Sequence, residues 1–186
     1  MDNHFYSSTE AAQITGCSRR QLQYWRDVGM VVPTVNPSGK GRNVYYSPSD
    51  LLALKVMEHS LALGLCFDLC AFVLKHLKKN EDWFFDKFSG QIDALGEKLY
   101  YSKQWMIVLD KDGEISHQII DFDLDRAQAY LSKGCGVVSL LSDRLYDDLL
   151  RRLDEYPQET RFSTGSFAQT MTVRSTAEMD VDILAR

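Results

Sequence analysis

The stretch SSTEAAQITGCSRRQLQYWRDVG, residues 7–29, contains the same helix-opening device twice. In Ser7-Ser8-Thr9-Glu10 the Ser7 hydroxyl is placed to accept the amide of residue 10 while the Glu10 side chain reaches back, which starts a helix running to about Ile14. Thr15-Gly16-Cys17 breaks it. Ser18-Arg19-Arg20-Gln21 repeats the device with glutamine in the return role; the second helix runs through Trp25 to about Val28 and stops at Gly29. Two capped helices joined by a three-residue turn that contains glycine form the helix-turn-helix pattern. The second helix sets Arg19, Arg20 and Arg26 around the apolar Leu22, Trp25 and Val28, so its N-terminal turn can reach base edges in duplex DNA.

Downstream, Met30-Val31-Val32, the turn formers Asn36-Pro37-Ser38-Gly39-Lys40-Gly41-Arg42 and Val44-Tyr45-Tyr46 predict strand, loop and strand, a β-hairpin wing with a long basic tip. Ser47-Pro48-Ser49-Asp50 puts a capping serine before proline at the first helical position and opens a helix to Gly64. A further amphipathic helix over about 67–79 ends in Lys75, His76, Lys78 and Lys79, cations at the negative end of its dipole. From Glu81 to Leu99 the apolar residues Phe85, Phe88, Ile92, Leu95 and Leu99 step by three and four, the spacing of a seam for a partner helix. Gly90 and Gly96 weaken that helix by about 1 kcal/mol each. Trp105–Leu109, the turn Asp110-Lys111-Asp112-Gly113 and Ile115–Phe122 read as strand, turn and strand, followed by a helix over 124–132, a strand Val137–Leu141 and a helix over 143–153. The serine- and threonine-rich end has no sustained period. The expected architecture is α+β. A winged helix-turn-helix spans 1–79, and a connecting helix and candidate dimer seam spans 80–102. A small ββαβα module, for an effector or interaction, spans 103–155, and a flexible tail spans 156–186.

Composition narrows the function. The 186 residues, 45% hydrophobic and 25% charged, are enough for a real core and ordinary for a globular protein. No run of eighteen apolar residues occurs and MDNHFYSSTEAAQ lacks the regions of a signal peptide, so the expected address is the cytoplasm, with no membrane partner. Four widely spaced cysteines, Cys17, Cys66, Cys70 and Cys135, argue against a disulfide framework. The net charge of −5 is unevenly spread: residues 1–79 hold nine Lys and Arg against six Asp and Glu, a balance of +3, and residues 80–186 hold twelve against twenty, a balance of −8. Attraction to phosphate depends on the face presented, so the first part can bind DNA while the acidic remainder faces away.

Thr9-Glu10-Ala11-Ala12, Thr15-Gly16-Cys17-Ser18, Arg20-Gln21-Leu22-Gln23-Tyr24-Trp25, Val28-Gly29-Met30, Pro33, the passage from Gly41-Arg42 through Tyr46-Ser47 to Asp50-Leu51, and Leu63-Gly64-Leu65 follow one another in a telling order. Over residues 5–79, about forty per cent of the chain, this order and spacing resembles the DNA-binding domain of the MerR family of bacterial transcription regulators. The resemblance implies a homodimer that inserts its second helix into the major groove, lays its wing along the backbone or minor groove and distorts promoter DNA. It assigns Arg20 to base or phosphate contact and the Tyr24 hydroxyl to phosphate, with Ser18, Arg19, Gln23, Arg26 and Tyr45 completing the DNA-binding set. Lys40 and Arg42 at the wing tip would meet backbone oxygens, contacts that position the protein without reading sequence. Three residues depart from the pattern. Gln23 stands where many relatives have arginine, Val44 where a basic residue is usual, and Cys66 where a Ser or Thr cap is usual, and a thiol caps poorly.

Other constellations are weaker. Cys66 and Cys70, four apart, would offer two thiolates to a soft metal ion, but two ligands do not close a zinc site and core packing is the first expectation. His4, His59, His76 and His117 are scattered. Asp121, Asp123 and Asp125 alternate, yet the glycine and terminal glutamate of a calcium loop are missing; a strand end and helix cap fits better. Trp83, Phe84, Phe85 and Phe88 read as core or dimer packing before an effector pocket. No phosphate loop, nucleophile motif or catalytic carboxylate pair is found, so neither enzyme chemistry nor a cofactor is expected. The sequence points to a dimeric, sequence-specific transcription regulator on double-stranded DNA, with RNA polymerase or an effector as further partners. The rival readings are an architectural, excisionase-like DNA-bending factor and a protein-interaction or small-molecule-binding module carried by a winged domain.

Overall fold

Residues 4–37, 43–93, 102–110, 118–156 and 162–163 are described by a computed structural model. Both helix-opening devices form. β1 (His4–Ser7) leads into α1 (Ser8–Thr15), where the Ser7 amide donates to Glu10 Oε2 at 2.7 Å and the Glu10 amide to Ser7 Oγ at 3.4 Å. Gly16 closes α1 with a φ of 82°, a left-handed conformation that a Cβ disfavours. At α2 (Arg19–Asp27) the Ser18 amide donates to Gln21 Oε1 at 2.8 Å and the Gln21 amide to Ser18 Oγ at 3.2 Å.

Met30-Val31-Val32 is not the first strand of the wing, a correction to the sequence reading. The amides of Met30 and Val31 both donate to the Trp25 carbonyl, at 2.8 and 3.2 Å, and so finish α2. The strand partner is Val35, which exchanges both backbone bonds with Tyr45 at 2.9 and 3.0 Å. β2 (Tyr45–Tyr46) in turn pairs antiparallel with β1, Tyr6 opposite Tyr46. α3 (Pro48–Ala62) starts at Ser47, and Asp50 Oδ2 accepts from the Ser47 amide at 2.9 Å, the Thr34 amide at 2.8 Å and the Thr34 hydroxyl at 2.7 Å. One carboxylate therefore caps α3 and ties down the root of the wing. α4 (Phe67–Asn80) opens on Cys66 with no side-chain cap, as a weak thiol acceptor implies.

Two of the five candidate seam residues, Phe85 and Phe88, pack within the chain. In α5 (Asp82–Asp93) Phe84, Phe85 and Phe88 are buried in the chain's own core. Phe84 and Phe88 stack on Tyr146, with centroids 4.8 and 5.3 Å away. Stepping by three and four marks a buried face but not what covers it, and for Phe85 and Phe88 the cover is intramolecular. Ile92 falls near the end of α5, and Leu95 and Leu99 lie outside the described residues.

β3 (Gln104–Leu109), β4 (Gln118–Asp121), α6 (Leu124–Ser132), β5 (Gly136–Leu141) and α7 (Ser142–Glu155) complete the C-terminal half. β3 is the central strand, antiparallel to β4 and β5, with Trp105 opposite both Asp121 and Leu140. Alternation along β3 sends Trp105 and Ile107 into the main core and Met106 and Val108 into a smaller cluster with Ala127 of α6. α7 buries Leu145, Leu149 and Leu153 and packs on α1, α3 and α5. One core takes in Ile14, Trp25, Leu54, Leu74, Phe84, Trp105 and Leu145. It spans the boundary that the charge balance suggested near residue 79. Within the expected tail, β6 (Phe162–Ser163) pairs with β1, Phe5 opposite Phe162, a strand too short to show a period in sequence. Among the described residues no helix is long and apolar enough to cross a membrane.

Candidate nucleic-acid interface

The outward face of α2 follows from what its inward face buries. Leu22 and Trp25, three apart, are each 1% exposed in the shared core, and α2 packs on α1; burying side chains of this size stabilises by about 1.5–3 kcal/mol each. With that stripe fixed, Arg19, Arg20 and Gln23 stand exposed on the first two turns. Arg19, Arg20, Gln23 and the half-buried Arg26 line one groove of about 420 Å³ together with Ser8, Leu22 and Tyr46. Arg26 is braced by Asp27, Nε to Oδ1 at 3.4 Å. Arg19 and Arg20 have no ion-pair partner among the described residues, so their charge remains available to an external anion.

Two residues of this groove went unnoticed in the sequence. Tyr46 is held beneath α2 by its place in β2 and lines the groove together with Ser8. Burial pushes the phenol above its ordinary pKa, against the pull of Arg26, so it stays neutral. Ser8 is masked in sequence because its neighbour Ser7 is the cap.

The remaining expected contacts are placed unevenly. Ser18 spends its hydroxyl on the cap, accepting the Gln21 amide and donating to Gln21 Oε1 at 2.8 Å, so its part is to set the start of α2. Tyr24 is 51% exposed, with its ring 5.3 Å from that of Phe67 in the first turn of α4. That contact brings the uncapped N-terminus of α4 beside α2. Tyr45 sits at the wing's root, half-buried, while Lys40 and Arg42 lie outside the described residues.

Cys66 and Cys70 do not present a paired thiol face. Cys66 is exposed, whereas Cys70 is buried with Sγ donating to the Leu65 carbonyl at 3.6 Å, and burial pushes its thiol up to about 11. Among the described residues no three His, Cys, Asp or Glu side chains are grouped to hold a metal ion. Asp123 caps α6 through the Arg126 amide at 2.8 Å, and Asp121 pairs with Lys103 at 3.1 Å, which accounts for the first two carboxylates of that cluster.

A capped helix pair with a free arginine pair at the start of its second helix, backed by a strand-paired wing root, defines a helix-turn-helix protein. Residues 6–77 match the model of the MerR HTH family regulatory protein. An uncharacterized HTH-type transcriptional regulator of Mycobacterium bovis is 33% identical over 75 residues, and regulators of the same description from two strains of Mycobacterium tuberculosis match equally. The match covers 40% of this chain and 33% of each relative, so the chain aligns with about a third of the length of these curated relatives.

Proposed function

We propose that this protein is a sequence-specific regulator of transcription that binds double-stranded DNA as a homodimer in the cytoplasm, and that it is not an enzyme. The observation that carries the reading is the exposed set Arg19, Arg20 and Gln23, unpaired by carboxylates among the described residues, at the N-terminal end of a helix whose opposite face is locked by Leu22 and Trp25. The N-terminal residues of such a second helix reach base edges in the major groove. Arg20 is suited to a guanine edge and Gln23 to an adenine edge, each such bidentate pair giving about 1–3 kcal/mol of discrimination. Arg19, Arg26 and Tyr24, with Lys40 and Arg42 of the wing and Tyr45 at its root, neutralise or hydrogen-bond phosphates and make affinity fall with salt. The C-terminal half offers its surface to an effector or to RNA polymerase.

Selection of sites from random duplex DNA by the purified chain, with the mass of the bound species measured alongside, tests the reading. A palindromic motif occupied by two chains supports it, because dimer symmetry must be mirrored in the half-sites. Absence of an enriched motif, with weak binding lost at moderate salt, overturns it.

A further inference from the structure

The turn that aims α2 is touched by the far end of the chain. A methyl group added to Gly16 would lie 3.2 Å from Arg152 Nη1 and 3.7 Å from its Cζ, so the guanidinium of α7 rests against the glycine between α1 and α2. This is the C-terminal end of α1, where unsatisfied carbonyls and the helix dipole favour a cation. Arg152 is tethered there: its Nε donates to Asp148 Oδ2 at 3.2 Å, one turn back along α7. The same oxygen lies 2.5 Å from Lys55 Nζ of α3, while Arg151 Nη2 takes Oδ1 at 2.7 Å. Lys55 is 4% exposed and has Glu58 Oε2 as its other partner at 2.8 Å. Cys17, next to Gly16 and also buried, donates Sγ to the Leu54 carbonyl of α3 at 3.7 Å. The turn is thus held from α3 by Cys17 and from α7 by Arg152, and the carboxylate of Asp148 ties those two supports together.

We infer that α7 sets the angle at which α2 leaves the turn, with Asp148 and Arg152 as positioning residues for DNA recognition. The mechanical part, a turn clamped by α7, holds whatever ligand α2 meets; the recognition part rests on the proposed function. A guanidinium is needed because it must bond Asp148 through Nε while its far end reaches Gly16, which a lysine does only in part.

The full-length chain carrying Arg152→Gln is compared with wild type, with Arg152→Lys, and with Arg144→Gln, which removes an exposed arginine elsewhere on α7. The first readout is native-state alkylation of Cys17 by iodoacetamide, located by mass spectrometry. Arg152→Gln raises the Cys17 rate about tenfold through local opening of the turn, Arg152→Lys restores part of the protection, and Arg144→Gln leaves it as in wild type. An unchanged rate in Arg152→Gln overturns the clamp. The second readout is the ratio of affinities for the selected duplex and a scrambled one at a single salt concentration. Arg152→Gln lowers this ratio about tenfold, the size of coupling that packed networks carry, with the circular dichroism spectrum unaltered. A wild-type ratio in that variant overturns the positioning role. A wild-type protein that selects no site, while Cys17 still responds to Arg152→Gln, refutes the proposed function and leaves the clamp standing.

Discussion

Replacement of Phe88 by alanine separates a helix packed within its own chain from one that pairs two chains. Phe88 is fully buried, and its ring lies 5.3 Å from that of Tyr146 at an interplanar angle of 22°. Tyr146 is itself fixed, stacked on Phe84 and donating its hydroxyl to the Phe84 carbonyl. Deleting a buried phenylalanine ring costs about 3–5 kcal/mol in transfer and cavity terms, and an aromatic pair contributes about 0.5–1.5 kcal/mol beyond its area burial. In a chain of this length each kcal/mol moves Tm by about 2–4 °C, so Phe88→Ala should lower Tm by about 10 °C. Because the contact is intramolecular, the urea midpoint should fall equally at two protein concentrations tenfold apart, and sedimentation should show the wild-type mass for the folded variant. A seam residue would behave otherwise: the variant would fall to half mass, and its stability would recover with concentration. That second pattern would refute the placement of α5 in the core.

Four further outcomes are expected. Arg20→Ala should relax sequence preference by about 1–3 kcal/mol at one base position, whereas Lys40→Ala should weaken all duplexes alike and make the salt slope shallower by about 1; equal effects in a binding titration would dissolve that division of labour. Gly16→Ala should cost about 1–2 kcal/mol for its left-handed φ, with crowding of Arg152 added, and wild-type stability in urea would contradict the turn geometry. Burial raises the Asp148 carboxyl, but bonds from Lys55 and Arg151 and the charges of Lys55 and Arg152 outweigh it and hold the group well below its ordinary 3.8. With the folded pKa depressed, the stabilisation is complete above that ordinary value and is lost as pH falls below it. Asp148→Asn should therefore be less stable than wild type at neutral pH, with the gap closing only in strong acid; a gap that stays constant through the acid range would show the carboxylate's charge to be irrelevant. Finally, iodoacetamide on the native protein should label exposed Cys66 well before Cys17 and Cys70, whose thiols burial pushes up to about 11. Equal labelling of the three would contradict the burial pattern.

What the sequence discloses is set by the range of the interactions concerned. A capping box closes over three residues, so Ser7 with Glu10 and Ser18 with Gln21 mark both helix starts in the chain itself, and Gly16 marks the turn between them. Once Leu22 and Trp25 are assigned inward, the exposure of Arg19, Arg20 and Gln23 follows from helix geometry alone. The first wing strand is misplaced because an apolar run carries no sign that the Trp25 carbonyl will capture the amides of Met30 and Val31. The seam residues stay open between core and partner for a related reason, since periodicity identifies a buried face and does not name what covers it.

Lys55 is the least legible of all, because a lysine in a helix reads as solvated unless the carboxylate that crosses to it is known, and Asp148 lies far along the chain. The uneven charge acquires a different meaning from that pair. Read linearly, the acidic half only needs to keep away from DNA. In the folded chain one of its carboxylates, Asp148, is spent on the inward-facing cation of the basic half, and Arg152 on the turn beneath α2. Among the described residues a buried ammonium without Asp148 would keep only Glu58, and leaving such a charge half-compensated is costly. Arg19 and Arg20, by contrast, meet no carboxylate among the described residues. The acidic half therefore neutralises the cation that faces inward and leaves uncovered the two that the proposed function assigns to phosphate and base, so that a chain of net charge −5 still presents a positive edge where α2 begins.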